Sequence, residues 1–331
     1  MSEESRFDLD DRHGGTDDPL RYATSYHAPV LWHTVVRDLI TDVDGVYVDG
    51  TLGGGGHTAA LLDVLGEGAK VIGIDRDERA IDEAGRRLSG EIDRGRLVLV
   101  HGAFGDLAHH LKQIGIEKVN GVVLDLGVSS HQIDASDRGF SYRESGELDM
   151  RMDRSAGLSA LSIINDWPQD RLADVIYEFG EESASRRIAR TIVAARPISS
   201  THELAELVRA AVPTRDEVKT LSRVFQAIRI AVNDELGEVE RALEAMAETI
   251  VIGGRAVVIS YHSLEDRRVK RFFRTGNFEG VLERDTFGNP LVGWKELHRK
   301  PVEAGPIEVE RNPRARSARL RSAERVRVPA Q

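Results

Sequence analysis

Hydrophobic and polar positions follow one regime up to about residue 130 and another beyond it. In the first, short apolar runs ending on a polar residue recur: Val46-Tyr-Val-Asp49, Lys70-Val-Ile-Gly-Ile-Asp75, Arg96-Leu-Val-Leu-Val-His101 and Val119-Asn-Gly-Val-Val-Leu-Asp125. Their length and β-branched content predict buried strands. Between them, Thr58–Leu65 and Glu78–Leu88 space their apolar residues as helices do, with Ala80, Ile81, Ala84 and Leu88 on one stripe. Strands alternating with helices predict an α/β fold, a parallel sheet covered on both faces, with ligands outside the carboxyl ends of the strands.

The alternation then stops. Residues 135–220 read as a loop followed by helices: Asp170–Tyr177, Glu182–Ala195, and Leu204–Ala211 behind the capping box Ser200-Thr-His-Glu203. Leu221–Ala247 reads as one long helix or two, Val251–Arg255 as a turn, and Ala256-Val-Val-Ile-Ser260 as a fifth strand. The expected organisation is therefore a sheet domain from 23–134 and 221–331, interrupted by a helical insertion at 135–220. Residues 276–310 read as irregular connection, and no repeat of fixed period occurs. Residues 1–22 lack apolar periodicity and read as a disordered acidic extension.

Composition narrows the functional classes. The 331 residues carry a net charge of −10 and contain no cysteine, so disulfides, thiolate metal sites and cysteine nucleophiles are excluded. None of the 11 histidines forms an HExxH pair, and no metal is expected. No apolar run approaches the roughly 18 residues that span a bilayer, and the N-terminus is acidic and polar. No membrane association is expected, and the expected compartment is the cytoplasm. The charge is unevenly spread: Arg311 to Arg327 holds seven arginines and only Glu324, so an acidic protein can still present a basic face.

The candidate chemistry centres on Asp49-Gly-Thr-Leu-Gly53-Gly54-Gly55-Gly56-His57, which follows a strand and opens a helix. Glycines let the chain turn tightly and let a ligand approach the main chain. Asp75, twenty positions beyond Gly55, ends the second strand, where an acid can accept ribose hydroxyls. That spacing suits a nucleoside and permits NAD, since Gly54-Gly-Gly56-His-Thr-Ala59 satisfies G-x-G-x-x-A. Asp49 and Asp125, at the ends of the first and fourth strands, favour a ligand with an ammonium and a sulfonium over one with two phosphates. S-adenosylmethionine is therefore the expected cofactor. A Walker loop fails, because no Lys-Ser or Lys-Thr follows the glycines. Taken singly, Asp49 could cap the following turn and Asp75 the helix near Glu78.

These residues resemble the bacterial small-subunit rRNA cytosine-N4 methyltransferases called RsmH or MraW. The likeness rests on His27-Ala-Pro-Val, the loop from Asp49 to His57, Gly73-Ile-Asp-Arg-Asp77, Asp125-Leu-Gly-Val-Ser-Ser130, Arg138-Gly-Phe-Ser, Leu148-Asp-Met-Arg-Met-Asp153, Phe225-Gln-Ala-Ile-Arg229, Ser260-Tyr-His-Ser-Leu-Glu-Asp-Arg267 and Asn312-Pro-Arg-Ala-Arg-Ser317. The resemblance implies a class I S-adenosylmethionine-dependent methyltransferase sheet of Rossmann-like type, with an inserted helical substrate-recognition domain. It implies methylation of the exocyclic amine of a cytidine in 16S rRNA at the decoding centre of the small ribosomal subunit. It carries cofactor contacts to Gly55, Gly56, His57, Asp75, Phe104, Asp125 and Gln132; for Phe104 the competing account is a core aromatic.

Cytosine N4 is a poor nucleophile because its lone pair is delocalised into the ring, so an acceptor must orient it. Asp125 is the first candidate, with Ser129 and Ser130 next. The chain has Asp-Leu-Gly-Val-Ser-Ser where many amino-methyltransferases carry an aromatic that stacks on the base. Phe140 or Tyr142 could supply the stack, or anchor their own loop. Asn312–Arg321, including Arg314 and Arg316, reads as a phosphate-binding strip that Arg186, Arg187 and Arg190 could extend; the alternative is a solvated charged helix. His262 and Glu265, after the fifth strand, stand at the ligand edge as substrate contacts or as packing. A homodimer is compatible with the sequence. The rival functions are methylation of DNA or a small molecule, and a ribosome-assembly factor without turnover.

Overall fold

Strand β1 (Val46–Asp49) pairs in parallel with β2 (Lys70–Asp75) on one side and β4 (Val119–Asp125) on the other, in a computed structural model. The structure describes residues 18–24, 28–128, 135–143, 145–155, 157–212 and 216–327. With β3 (Leu97–His101), β5 (Ile250–Ser260), β6 (Trp294–Glu296) and β7 (Arg319–Arg325), the seven-stranded order is β3-β2-β1-β4-β5-β7-β6. The first five strands run parallel, and β7 is antiparallel to both β5 and β6. Strand order reverses between β1 and β4, which is where an open α/β sheet forms its ligand crevice.

Alternate residues of each central strand feed opposite layers. Tyr47 and Val71 face helices α1 (Trp32–Leu39) and α2 (Gly56–Val64), packing with Val35, Leu39 and Leu61. Val48, Ile72 and Val122 face the other way. There they meet α5 (Leu107–Gln113), α11 (Glu235–Thr249) and α12 (Ser263–Thr275) through Leu107, Val239 and Phe273. Helix α3 (Glu78–Arg87) and the short α4 (Ser89–Asp93) connect β2 to β3.

The helical insertion has a core of its own, built from α6 (Ala160–Asp166), α7 (Gln169–Gly180), α8 (Ser185–Ala194), α9 (Thr201–Ala211) and α10 (Glu217–Asn233). The expected capping box is present, with Ser200 Oγ accepting from Glu203 N at 3.2 Å. Helix α10 gives Leu221, Val224, Phe225 and Ile228 to this core. The stretch 221–247 is two helices, broken where Asp234 takes φ 49°.

Three expectations are corrected. The turn at 251–255 is absorbed into β5 as an irregularity, with Ile250 opposite Val119 and Arg255 opposite Gly121, while Gly253 takes φ 85°. The stretch 276–310 contains β6 and the helix α13 (Pro306–Arg311). The arginine-rich tail is neither an open strip nor a helix through its length. It begins as a 3-10 turn, Pro313–Ser317, and continues as β7, inside the sheet. No helix of the described residues is long and apolar enough to cross a membrane.

Candidate active site

The glycine loop is locked by the acid that precedes it. Asp49 ends β1, is 1% exposed, and accepts from Thr51 N at 3.3 Å and from Thr58 Oγ1 at 2.8 Å. Its carboxylate ties the loop to the first turn of α2, the turn-capping role. Burial raises its pKa, opposed by His57 and by the bonds from Thr58 and Thr51. Gly53 and Gly55 take φ 51° and 73°, which side chains resist. A Cβ on Gly50 would stand 2.5 Å from Leu124 Cδ2, so the loop has no room for a side chain there.

Asp75 does not cap the following helix; Asp77 does, accepting from Arg79 N at 3.1 Å. Asp75 instead accepts from Gly53 N at 2.8 Å through one oxygen and from Asp77 N at 2.8 Å through the other. Each oxygen keeps a second lone pair for a donor in the cleft, as a ribose diol requires. Burial pushes its pKa up to about 6 despite these two bonds.

The cleft over the carboxyl ends of β1, β2 and β4 encloses about 660 Å³ open to solvent, with Asp75, Arg76, Phe104, Asp125, Gly127 and Tyr261 among its walls. Phe104 opens a 3-10 turn after β3 and both lines the cleft and packs on the apolar layer beneath. The Arg76 guanidinium lies 5.8 Å from that ring and is anchored to Glu238 at 3.2 Å and to Asn233 O at 3.0 Å.

Asp125 is held from several sides. Its backbone N donates to Thr51 Oγ1 at 2.6 Å, Tyr261 Oη donates to Oδ1 at 2.8 Å, and His57 Nε2 lies 3.4 Å from Oδ2. Burial, then Asp125 itself, raises the Tyr261 pKa far above its usual range, so the phenol keeps its proton. For His57 burial alone would lower the pKa, but Asp125, Asp49 and Glu308 outweigh it and the net shift is upward. Sequence reasoning missed Tyr261, although its place just after β5 on the carboxyl edge was a usable signal. Arg76, Met152 and Thr51, which also line the cleft, lie within the quoted motifs but were not singled out there.

A smaller adjoining cleft of about 300 Å³ has Glu235 and Glu265 in its wall. Glu265 accepts from Tyr261 N at 2.9 Å and lies 3.1 Å from His262 Nε2, so it fixes the start of α12 while bordering this cleft. Burial pushes its pKa up, but His262, the Tyr261 N–H and Arg229 bring it below the usual value. Glu235, His262 and Glu265 bring possible ligand atoms within 4.8 Å of one another, a grouping that motif spacing did not anticipate. The Arg229 guanidinium, donating to both Glu235 oxygens at 2.8 Å, already supplies positive charge there.

Other expected residues fall elsewhere. Phe140 and Tyr142 pack on the helical module's core; the Tyr142 ring stands edge-on to Phe225, and its hydroxyl is 3.0 Å from Ser222 Oγ. Arg316 is exposed and Arg314 half-buried on the 3-10 turn, but the expected strip is broken: Arg321 is buried against Asp266, at 2.7 and 3.1 Å, and Arg311 pairs with Asp18. Arg186, Arg187 and Arg190 are exposed on α8. Ser129, Ser130 and Gln132 lie outside the described residues.

A parallel sheet closed by an antiparallel strand, with a glycine loop, Asp75 and Phe104 at its switch point, has the arrangement of a class I S-adenosylmethionine-dependent methyltransferase. The particular family follows from comparison: the model of the MraW methylase family matches residues 24–326, and the chain belongs to that family. Relatives agree. "Ribosomal RNA small subunit methyltransferase H" of Chlorobium luteolum is 46% identical over 329 residues, covering 92% of this chain and 98% of that protein. The protein of the same name from Sorangium cellulosum is 47% identical over 313 residues, covering 93% of each.

Proposed function

We propose that this enzyme methylates the exocyclic N4 of a cytidine in 16S rRNA at the decoding centre of the small ribosomal subunit, with the helical module recognising the RNA. Kinship with proteins named for small-subunit rRNA methylation supports the substrate. The observation that carries the chemistry is Asp125, a cleft-lining carboxylate fixed by Tyr261, Thr51 and His57.

The cofactor, when bound, supplies an electrophilic methyl group on a sulfonium. Asp75 accepts the ribose hydroxyls, Phe104 lies against the adenine, and Gly53 to His57 hold the methionine end. Asp125 accepts an N4 hydrogen, turns the nitrogen lone pair out of conjugation with the ring, and takes the proton that N4 sheds. Because its carboxylate is positioned before substrate arrives, little reorganisation is needed at the moment of transfer. By the family resemblance, Gln132 is assigned to the cofactor, and Ser129 and Ser130 rank after Asp125 as acceptors for the amine. Arg186, Arg187, Arg190, Arg314 and Arg316 are assigned to phosphate contacts.

Incubating isolated small subunits with methyl-tritiated cofactor tests this. Label is expected in the RNA, with Asp125→Asn losing roughly 10²–10³-fold in rate. Label in protein, or cofactor binding without transfer, would overturn it, the latter in favour of an assembly factor.

A further inference from the structure

His57 occupies the second position of α2, is 4% exposed, and has neither ring nitrogen in a hydrogen bond of normal geometry, although Nε2 lies 3.4 Å from Asp125 Oδ2. Three carboxylates bear on this imidazole from three elements: Asp49 from β1, Asp125 from β4 and Glu308 from α13. Neutral donors also meet these carboxylates: Tyr261 Oη donates to Asp125, Thr58 Oγ1 and Thr51 N to Asp49, and Leu31 N to Glu308. The N-terminal end of a helix disfavours a cation, so only the carboxylates favour a proton on the ring. A second cation brought to the same carboxylates would compete with it.

We propose that His57 is the charge counterweight of the methyl donor: its ring is an imidazolium in the ligand-free cleft, loses that proton when the sulfonium settles beside Asp125, and regains one as the methyl leaves. The balance closes. During transfer the N4–C bond forms, the C–S bond breaks with its electron pair staying on sulfur, and the N4–H bond breaks. Asp125 receives that proton and passes it to His57 Nε2, so one positive charge neighbours the Asp125 carboxylate before the step, on sulfur, and one after it, on the ring. The origin of the returning proton rests on the N4 reading above; the displacement on binding does not.

The test uses binding alone, on the full chain without RNA. Calorimetry at pH 7.5 in two buffers of different ionisation enthalpy counts protons released with S-adenosylmethionine and with S-adenosylhomocysteine. The two ligands share the ribose and the amino-acid end, so Asp75 contributes equally and the difference isolates the sulfonium. The expected difference is a substantial fraction of one proton per site, vanishing in His57→Gln. Equal release for both ligands in the wild type, or an undiminished difference in His57→Gln, would overturn the proposal. Should His57→Gln fail to fold, nitrogen NMR of the wild-type imidazole decides. A shift from charged to neutral on adding the methionine cofactor, absent with the homocysteine product, is expected; an unmoved signal refutes it. Because no RNA enters these experiments, a failure to find methylated cytidine leaves this result standing, and the reverse also holds.

Discussion

Replacing Asp75 by alanine tests the cofactor cleft where its geometry is best defined. The carboxylate gives one lone pair per oxygen to Gly53 N and Asp77 N and has one on each for the ribose. A hydrogen bond to a charged group contributes about 1.5–3 kcal/mol. Two such bonds would give about 3–6 kcal/mol, reduced because the alanine variant also spares the desolvation of the carboxylate. A net loss of about 3–4 kcal/mol, roughly 10²–10³-fold in Kd, is expected for S-adenosylhomocysteine by calorimetry at pH 7.5. The pH dependence adds a second mark. Burial holds the ligand-free carboxyl at about 6, whereas hydroxyl donors favour the charged form and lower it. Wild-type affinity should therefore be full above pH 6 and fall as pH drops through that value, a dependence that Asp75→Ala loses. Linkage to folding has the opposite sign: a carboxyl raised in the folded state stabilises the ligand-free protein at low pH. That contribution is lost as pH rises from about 3.8 to about 6, so the thermal shift produced by ligand should be larger at pH 7.5 than at pH 5. A weakening of less than threefold, or wild-type affinity flat between pH 5 and 7, would refute the ribose assignment.

Tyr261→Phe removes the hydroxyl that fixes Asp125 and should lower kcat about tenfold while cofactor Kd moves little, measured by steady-state methylation and calorimetry. Arg321→Ala removes both close hydrogen bonds to the buried Asp266, leaving it only the longer contact with Arg319 at 3.8 Å, and should destabilise the fold by about 3 kcal/mol in denaturant unfolding. Neutralising Arg186, Arg187 and Arg190 together should weaken association with small subunits and flatten its salt dependence, with cofactor affinity unchanged.

The sheet was legible because its central strands are nearly continuous apolar runs that end on the site acids. Asp49, Asp75 and Asp125 mark the carboxyl edge in the sequence as they do in space. Strands β6 and β7 were hidden for physical reasons. The first is three residues long, and the second carries arginines whose charge is met by tertiary partners such as Asp266 that no local pattern shows. The break within 221–247 was obscured because α10 and α11 abut at a single left-handed Asp234, which periodicity cannot distinguish from a continuous helix. Within the site, strand-end residues were found and those contributed by packing were not. Tyr261 reaches Asp125 across 136 positions and Arg76 reaches Asn233 across 157.

The central claim is tested most directly by the chemical identity of the product. Small subunits treated with enzyme and cofactor, digested to nucleosides and short fragments and analysed by mass spectrometry, should yield N4-methylcytidine at one position of 16S rRNA. That product should be strongly diminished with Asp125→Asn. Methyl on carbon 5, on a ribose oxygen or on another base would contradict the account, as would an Asp125→Asn enzyme as active as the wild type.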